Sequence, residues 1–517
     1  AEYTVYTDKD CTKIAKKVNQ NTSTVTNVDA VLTTDDNGNA SAFLPNGTYY
    51  VKETKAPKTA SGASYDVDNT VHIVTLPSSV KYTLTDTSTN TLTLKKSSAN
   101  PSLTDGNSCY NLAGAEYGVY TDAACTKLAK DKNGADAKLI VKEDGTTNTL
   151  NMYVGTYYVK EIKAGKGYGL CDEKNPCKNS NNGVHTVTLA AGDAKTIQCT
   201  DPPLDDPFAL TLTKSGAIDG NTVANSLAGA IFEVQYFDNT DGKTSGSAKN
   251  TWYFQTDENG KMDCTTDNLV NTATYPSDKL YVDNGSKVIY PIGTYTIREV
   301  KAPTHYELAG TMQFTGTSQS ADVNKGLTLI LRQTADGSLE YSTGTNKIDA
   351  SNLSLIATDE QKKASVKVVK YGADNKTPLA GVTFRLTGTD GKSIEKTTEN
   401  DGTCIFEDLA VGKYTLTETK TADGYTLLKD SLEITVPESM TKQEAEDQKA
   451  DLSKAEWNEE DQCYYFYNVT YNVANGQWVV PSTGGNTLPL MAGIAIGAAL
   501  VSGGLYFVIK KRRRSSF

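Results

Sequence analysis

At 517 residues the chain is too long for a single hydrophobic core and implies several domains. Its 51 basic and 62 acidic side chains leave a net charge of −11, which argues against nucleic acid as a partner. Three scattered histidines, His72, His185 and His305, offer no ligand pair at metal spacing, so no metal or other cofactor is expected, while abundant Tyr, Thr, Val and Gly favour strands and turns.

Taken in chain order, the sequence repeats itself. AEYTVYTDKDCTK (1–13) returns as LAGAEYGVYTDAACTK (112–127), and LAGAIFEV (227–234) and LAGVTFRL (379–386) open in the same way. A turn segment follows in each copy: TTDDNGNA, VKEDGTTN, QTDENGKM, TENDGTCI. Then comes a Gly-led strand: NGTYYVKETKAP, VGTYYVKEIKAG, IGTYTIREVKAP, VGKYTLTETKTADGY. Short strands joined by Asn/Asp-Gly turns predict an all-β chain of tandem antiparallel β-sandwiches. The expected units are 1–87, 88–203, 204–360 and 361–478. The first copy opens in mid-motif, without an initiator Met or signal peptide, and lacks its first strand, as expected of a mature form or a fragment. The third copy carries an insertion at about 237–290 that contains Trp252, Tyr253, Phe254, Tyr275 and Tyr281. If exposed, those aromatics would contact a ligand; if packed on the sandwich, they are core. The fourth carries a helical pattern at 438–457.

Strand parity singles out three positions per copy. Alternation places Glu53 with Tyr49 and Val51, and Glu161 with Tyr157 and Val159, on one strand face; Glu299 and Glu418 follow. At the start of the complete copies, Leu92, Leu94 and Lys96 share a face, as do Leu210, Leu212 and Lys214, and Val366, Val368 and Lys370. At the end, Ile197, Cys199 and Asp201 share one, as do Leu355, Ala357 and Asp359, and Tyr464, Phe466 and Asn468; Asn472 shares the parity of Asn468. In the first copy only Glu53 and Asp86, the latter in line with Tyr82 and Leu84, are present. One such residue is readily a charged side chain reaching out at a strand end. Three in register through three domains point instead to a buried Lys, a buried Glu and an acid or amide. As a salt bridge this trio would stabilise little, because desolvation offsets the attraction. As a reactive set it makes sense: burial favours a neutral amine and a protonated Glu, and the fold holds amine and carbonyl together. The product is an amide between first and last strands.

Nine cysteines form no zinc-like pattern. Cys171 and Cys177, in CDEKNPC, are close enough for a small-loop disulfide, and Cys11 and Cys125 occupy matching places. No Ser-His-Asp grouping or phosphate-cradling loop supports an enzyme beyond the single intramolecular condensation.

The C-terminus reads VVPSTGGNTLPLMAGIAIGAALVSGGLYFVIKKRRRSSF. Residues 488–509 are uncharged and long enough to span a bilayer, and the basic run 510–514 directs the tail to the cytoplasm. Val480, Pro481, Ser482, Thr483 and Gly484 precede the span. Pentapeptide, span and basic tail resemble the sorting signal of Gram-positive wall-anchored proteins, with Val480 standing where the family has Leu. That resemblance implies cleavage by a sortase between Thr483 and Gly484. The Thr483 carbonyl is then joined to an amine of a peptidoglycan cross-bridge or another pilin subunit. The LAGA opening, the ETKAP segment and the Lys/Glu/Asp-or-Asn trio resemble the SpaA-like, Cna B-type (prealbumin-like) domains of Gram-positive pilins. The resemblance implies bonds Lys96–Asp201 with Glu161, Lys214–Asp359 with Glu299, and Lys370–Asn468 with Glu418. It implies an extracellular pilin or fimbrial stalk subunit held in the membrane by residues 488–509 before sorting. The alternative is a non-polymerised wall-anchored adhesin that binds a host surface ligand through the third-copy insertion. No YPK-like acceptor motif of polymerising shaft subunits is present: IYPIG (289–293) lacks the Lys.

Overall fold

The computed structural model describes residues 1–57, 65–77, 81–86, 90–173, 177–206, 210–283, 285–344, 346–349 and 353–475. The pentapeptide 480–484, the span 488–509 and the basic tail 510–514 lie outside the described residues. Among the described residues no helix is long and apolar enough to cross a membrane.

The chain is all-β. Four hydrophobic cores follow one another, around Val5 and Tyr49, Leu94 and Tyr117, Phe232 and Trp252, and Val366 and Phe384. The second copy shows the plan. Its first sheet orders Leu150–Met152, Asn90–Ser98 and Ala194–Asp201; its second orders Val184–Leu189, Gly155–Lys163, Glu116–Tyr120 and Lys138–Ile140. Sequence alternation decides which faces meet. Leu92, Leu94 and Lys96 are buried, whereas Thr91, Thr93 and Lys95 between them are partly exposed.

The sandwiches are not wholly antiparallel. In every complete copy the first and last strands pair in parallel: Asn90–Ser98 with Ala194–Asp201, Thr211–Ile218 with Ser354–Gln361, and Ala364–Tyr371 with Asn468–Ala474. A parallel pair needs a crossover, and here the whole remainder of the copy supplies it. The recurring turn segment locks the first strand from its other side. Gly145, Gly260 and Gly402, all at positive φ, accept the backbone N–H of Lys96, Lys214 and Lys370 at 2.8, 2.7 and 2.8 Å. A Cβ on Gly402 would lie 2.7 Å from the Lys370 carbonyl oxygen, so only glycine permits this approach.

Two insertions differ from their sequence pattern. The stretch 438–457 holds a helix only at Lys442–Asp447 and a 3-10 turn at Leu452–Lys454, while its ends, Glu438–Thr441 and Glu456–Asn458, pair with Cys463–Phe466 in a small sheet. Thr441 and Glu444 form a capping box that starts this helix, but six residues cannot propagate without tertiary support. In the third-copy insertion Asn250–Gln255 joins a sandwich sheet, whereas Tyr281–Val282 and Val288–Pro291 form a separate small sheet with Asp205–Asp206. Trp252 and Phe254 are fully buried, and Trp252 meets Tyr290 edge-to-face at 5.4 Å. Tyr253, Tyr275 and Tyr281 are half-buried. Trp252 and Phe254 are therefore core, while Tyr253, Tyr275 and Tyr281 keep part of their surface exposed. Hydrogen bonds also tie successive copies together: Asn107 to Tyr236 at 2.9 Å, and His305 to Tyr467 at 3.1 Å.

Trp252→Ala should cost about 3–5 kcal/mol in the third copy, the usual penalty for emptying a large aromatic site. Denaturant unfolding monitored in that copy checks it, and a loss below about 1 kcal/mol would mean the insertion is not part of the core.

Candidate functional site

The parallel pairing gives each complete copy one register. Lys96 lies opposite Cys199, and Asp201 is two residues further along that strand; Lys214 lies opposite Ala357, two before Asp359. Two residues on is the same face, so the amine reaches diagonally to the carboxyl group. In the second copy Lys96 Nζ contacts both Glu161 and Asp201 and donates to the Tyr117 hydroxyl at 2.8 Å. In the third, Lys214 Nζ sits 2.8 Å from Glu299 Oε2 and in contact with Asp359. The lysines, glutamates and aspartates of both trios are essentially excluded from water.

The fourth copy corrects the sequence reading. Lys370 lies opposite Val473, so the residue two further on is Asn475, just beyond the end of Asn468–Ala474. Asn475 is 1 % exposed, and its amide nitrogen donates to Glu418 Oε1 at 2.8 Å and Oε2 at 3.1 Å. Its carbonyl oxygen is buried without a hydrogen-bond partner among the described residues. Asn468 is instead exposed at the opposite end of the strand, where it accepts from the Ser365 hydroxyl at 2.7 Å. The physical reason is a boundary. Cys463–Phe466 belongs to the inserted sheet, so Tyr464 and Phe466 are not continuous with the strand that pairs with Lys370. Asn472 lies opposite Val369 and is half-buried. Lys370 Nζ is 3.9 Å from Glu418 Oε2 and 3.4 Å from the Val473 carbonyl.

Two further features escaped sequence reasoning. Across from each Glu sits an aromatic ring: Tyr3 by Glu53, Tyr117 by Glu161, Phe232 by Glu299 and Phe384 by Glu418. The Lys96 ammonium stands 4.9 Å from the Tyr117 ring centre, and Lys214 5.9 Å from that of Phe232. A break in register at the same place in all four pairs, consistent with a β-bulge, sets the Glu side chain apart from the residues that follow it. The aromatic in each LAGA-type opening was the available signal.

Charge balance differs between copies. Burial pushes the Glu161 and Glu418 carboxyls up, and Glu299 up to about 8. Burial opposes the Lys96 charge, but the Asp201 and Glu161 carboxylates outweigh it and hold that amine above its ordinary value. Lys370 faces one carboxylate and a neutral amide, so burial wins and brings it down to about 8.

In the first copy Glu53 is 1 % exposed and accepts the Asp68 N–H at 2.6 Å. Burial pushes Glu53 and Asp86 up. Residues 81–86 pair with no strand among the described residues, and Tyr82 is exposed. A cavity of about 590 Å³ is lined by Tyr3, Leu44, Tyr49 and Leu84 among others. Cys171 and Cys177 form a disulfide beside Glu161.

Residues 1–91, 99–193 and 364–449 match the family model of the SpaA prealbumin-like fold domain. Among solved structures, the Bacillus anthracis TIE protein is similar at 17% identity and TM-score 0.39, over 92% of this chain and 69% of that one. BcpA, the major pilin subunit of Bacillus cereus, is similar at 14% identity and TM-score 0.26, over 75% and 99%. The RrgB pilus protein of Streptococcus pneumoniae is similar at 10% and 0.26, over 77% and 100%. No curated protein matches the chain.

In Asn475→Ala, Lys370 should keep a folded pKa of about 8, which burial holds below its ordinary value of 10.5. Between these pH values the unfolded chain holds the extra proton, so stability rises with pH across that window. Thermal melts of Asn475→Ala against Asn475→Ala/Lys370→Met should diverge in that direction between pH 8 and 10.5; parallel curves would place the amine in water.

Proposed function

This chain belongs to the SpaA family of prealbumin-like domains, and from that premise we propose that it is a cell-wall-anchored pilin or fimbrial stalk subunit stiffened by self-made isopeptide bonds. The observation that carries the reading is the register. Three buried amines each lie beside a Glu and diagonal to a strand-end acid or amide, giving Lys96–Asp201, Lys214–Asp359 and Lys370–Asn475 as the bonded pairs.

The chemistry follows from the groups present. The ammonium passes a proton to the neighbouring Glu, leaving a neutral amine held against the acceptor. Nζ attacks Cγ; an N–C bond forms, and the C–O bond of Asp or the C–N bond of Asn breaks. Glu returns protons to the departing group, which leaves as water from Asp201 and Asp359 or ammonia from Asn475. The two Asn475 N–H bonds to Glu418 support Glu418 as the donor to the leaving ammonia. Each bond forms once, so the chain is a single-turnover reactant rather than an enzyme. Tension that enters at the Lys strand would cross the new bond and leave by the acceptor strand, bypassing the rest of the sandwich.

The pentapeptide Val480–Gly484 supports sortase cleavage after Thr483, with transfer to a peptidoglycan cross-bridge or another pilin subunit. The units 1–87, 88–203, 204–360 and 361–478 would then form an extracellular row.

Intact mass of residues 88–483 under denaturing conditions should fall short by about 53 Da, two waters and one ammonia, beyond the disulfide's two hydrogens. Glu161→Ala, Glu299→Ala and Glu418→Ala should each restore one increment, and Asn475→Ala but not Asn468→Ala should restore the ammonia. An undiminished mass would reduce the trios to ion pairs.

A further inference from the structure

The second copy holds its Glu differently from the third. Glu161 Oε2 accepts the backbone N–H of Cys171 at 2.8 Å, whereas Glu299 Oε1 has no hydrogen-bond partner among the described residues. The Cys171 amide sits in a long stretch between strands Gly155–Lys163 and Val184–Leu189, where regular pairing does not fix it. The first copy makes the corresponding contact, Asp68 N–H to Glu53, without a cysteine pair, whereas here the donating residue is itself covalently tethered. Cys171 and Cys177 are 1 % and 3 % exposed, with Cα atoms 5.3 Å apart, and the Cys177 N–H donates to Cys171 Sγ at 3.2 Å. The far end of the link is anchored in turn. Ser180 Oγ donates to the Cys177 carbonyl at 2.8 Å, and His185 Nδ1 lies 3.1 Å from the Asn179 carbonyl.

We propose that the Cys171–Cys177 disulfide is a positioning device for the second copy. By holding the Cys171 amide against Glu161, it orients the carboxyl group on which joining Lys96 to Asp201 depends. The proposal rests on the bond-forming reading above and adds to it a dependence on the oxidation state of two side chains that take no part in the condensation. Closure of the Lys96–Asp201 bond in a newly made chain thus follows oxidation of the loop, while Lys214–Asp359, with no cysteine pair beside it, does not wait. The titratable groups facing Glu161 are Lys96, Asp201, Tyr117, Cys199 and, behind them, His185. Cys199 Sγ lies 3.1 Å from Asp201 Oδ1 and remains a thiol in either state of the loop.

The test uses the full chain made by cell-free translation, with glutathione disulfide to oxidise the loop or dithiothreitol to supply the two electrons and two protons that open it. Samples are denatured at intervals and digested, and mass spectrometry counts joined Lys96–Asp201 peptides against joined Lys214–Asp359 peptides from the same molecules. With dithiothreitol, or in Cys171→Ser/Cys177→Ser, Lys96–Asp201 should join about tenfold more slowly, the effect of one hydrogen bond to a charged group. Lys214–Asp359 should keep its rate, which also shows that the chain has folded. The pH profile of Lys96–Asp201 closure should move to higher pH, because the lost N–H favoured the ionised Glu161; a merely structural loop would leave that profile in place. Adding glutathione disulfide to the reduced unaltered chain should restore the rate, and should not do so in the double variant. Equal Lys96–Asp201 rates with and without the disulfide would overturn the proposal. If neither pair joins in the unaltered chain, the bond-forming reading itself falls, and this proposal falls with it.

Discussion

Everything specific about this protein depends on a parallel pairing of the first and last strands of a copy. Parallel pairing keeps a fixed offset along both strands, so a Lys on one always meets the residue two beyond its partner on the other. An antiparallel pair would have placed the acceptor at the opposite end of the sandwich from a Lys that follows the same two apolar positions. The glycine of the recurring turn fastens the Lys strand from its free side, and the bulge sets the Glu above it. Three backbone devices, none of them a reactive group, thus converge on one amine.

That convergence would be expensive if it ended in ion pairs. An amine and two carboxyl groups without water each pay desolvation, and their attraction returns only part of it. The copies meet this in two ways. Where the third member is Asp, burial pushes the Glu carboxyl up against the pull of the amine, as at Glu299. Where the acceptor is Asn, the single carboxylate is insufficient and the amine itself loses basicity. The raised Glu299 and the lowered Lys370 narrow the gap between acid and amine from opposite ends, as general acid–base chemistry favours, while Lys96 is held charged. Under the proposed function, a bond at this place would shorten the path of tension to a few residues at each end of a copy and relieve the rest of the sandwich of the load.

Period-2 alternation determined the inward placement of Lys96, Lys214, Lys370 and the four glutamates, because side-chain direction in a strand is a property of the chain alone. The Gly-led strands, the turn glycines and the all-β class were legible for the same local reason. The amide that meets Glu418 beside Lys370 was not. Asn468 and Asn475 differ by seven residues and so point to opposite faces, and both stand in strand-like surroundings; only the pairing partner distinguishes them. Residues 463–466 pair with the inserted Glu438–Thr441 and not with Ala364–Tyr371, a long-range choice that no local pattern records. The helical pattern at 438–457 likewise shrank to Lys442–Asp447, with both of its ends taken by sheet pairing. The aromatics of the third insertion could be surface or core on composition alone, and packing decided for core at Trp252 and Phe254 but only in part at the tyrosines. Sequence therefore determined which side chains face inward, and tertiary structure decided which of them meet, because direction is set residue by residue while register is set between strands about a hundred residues apart.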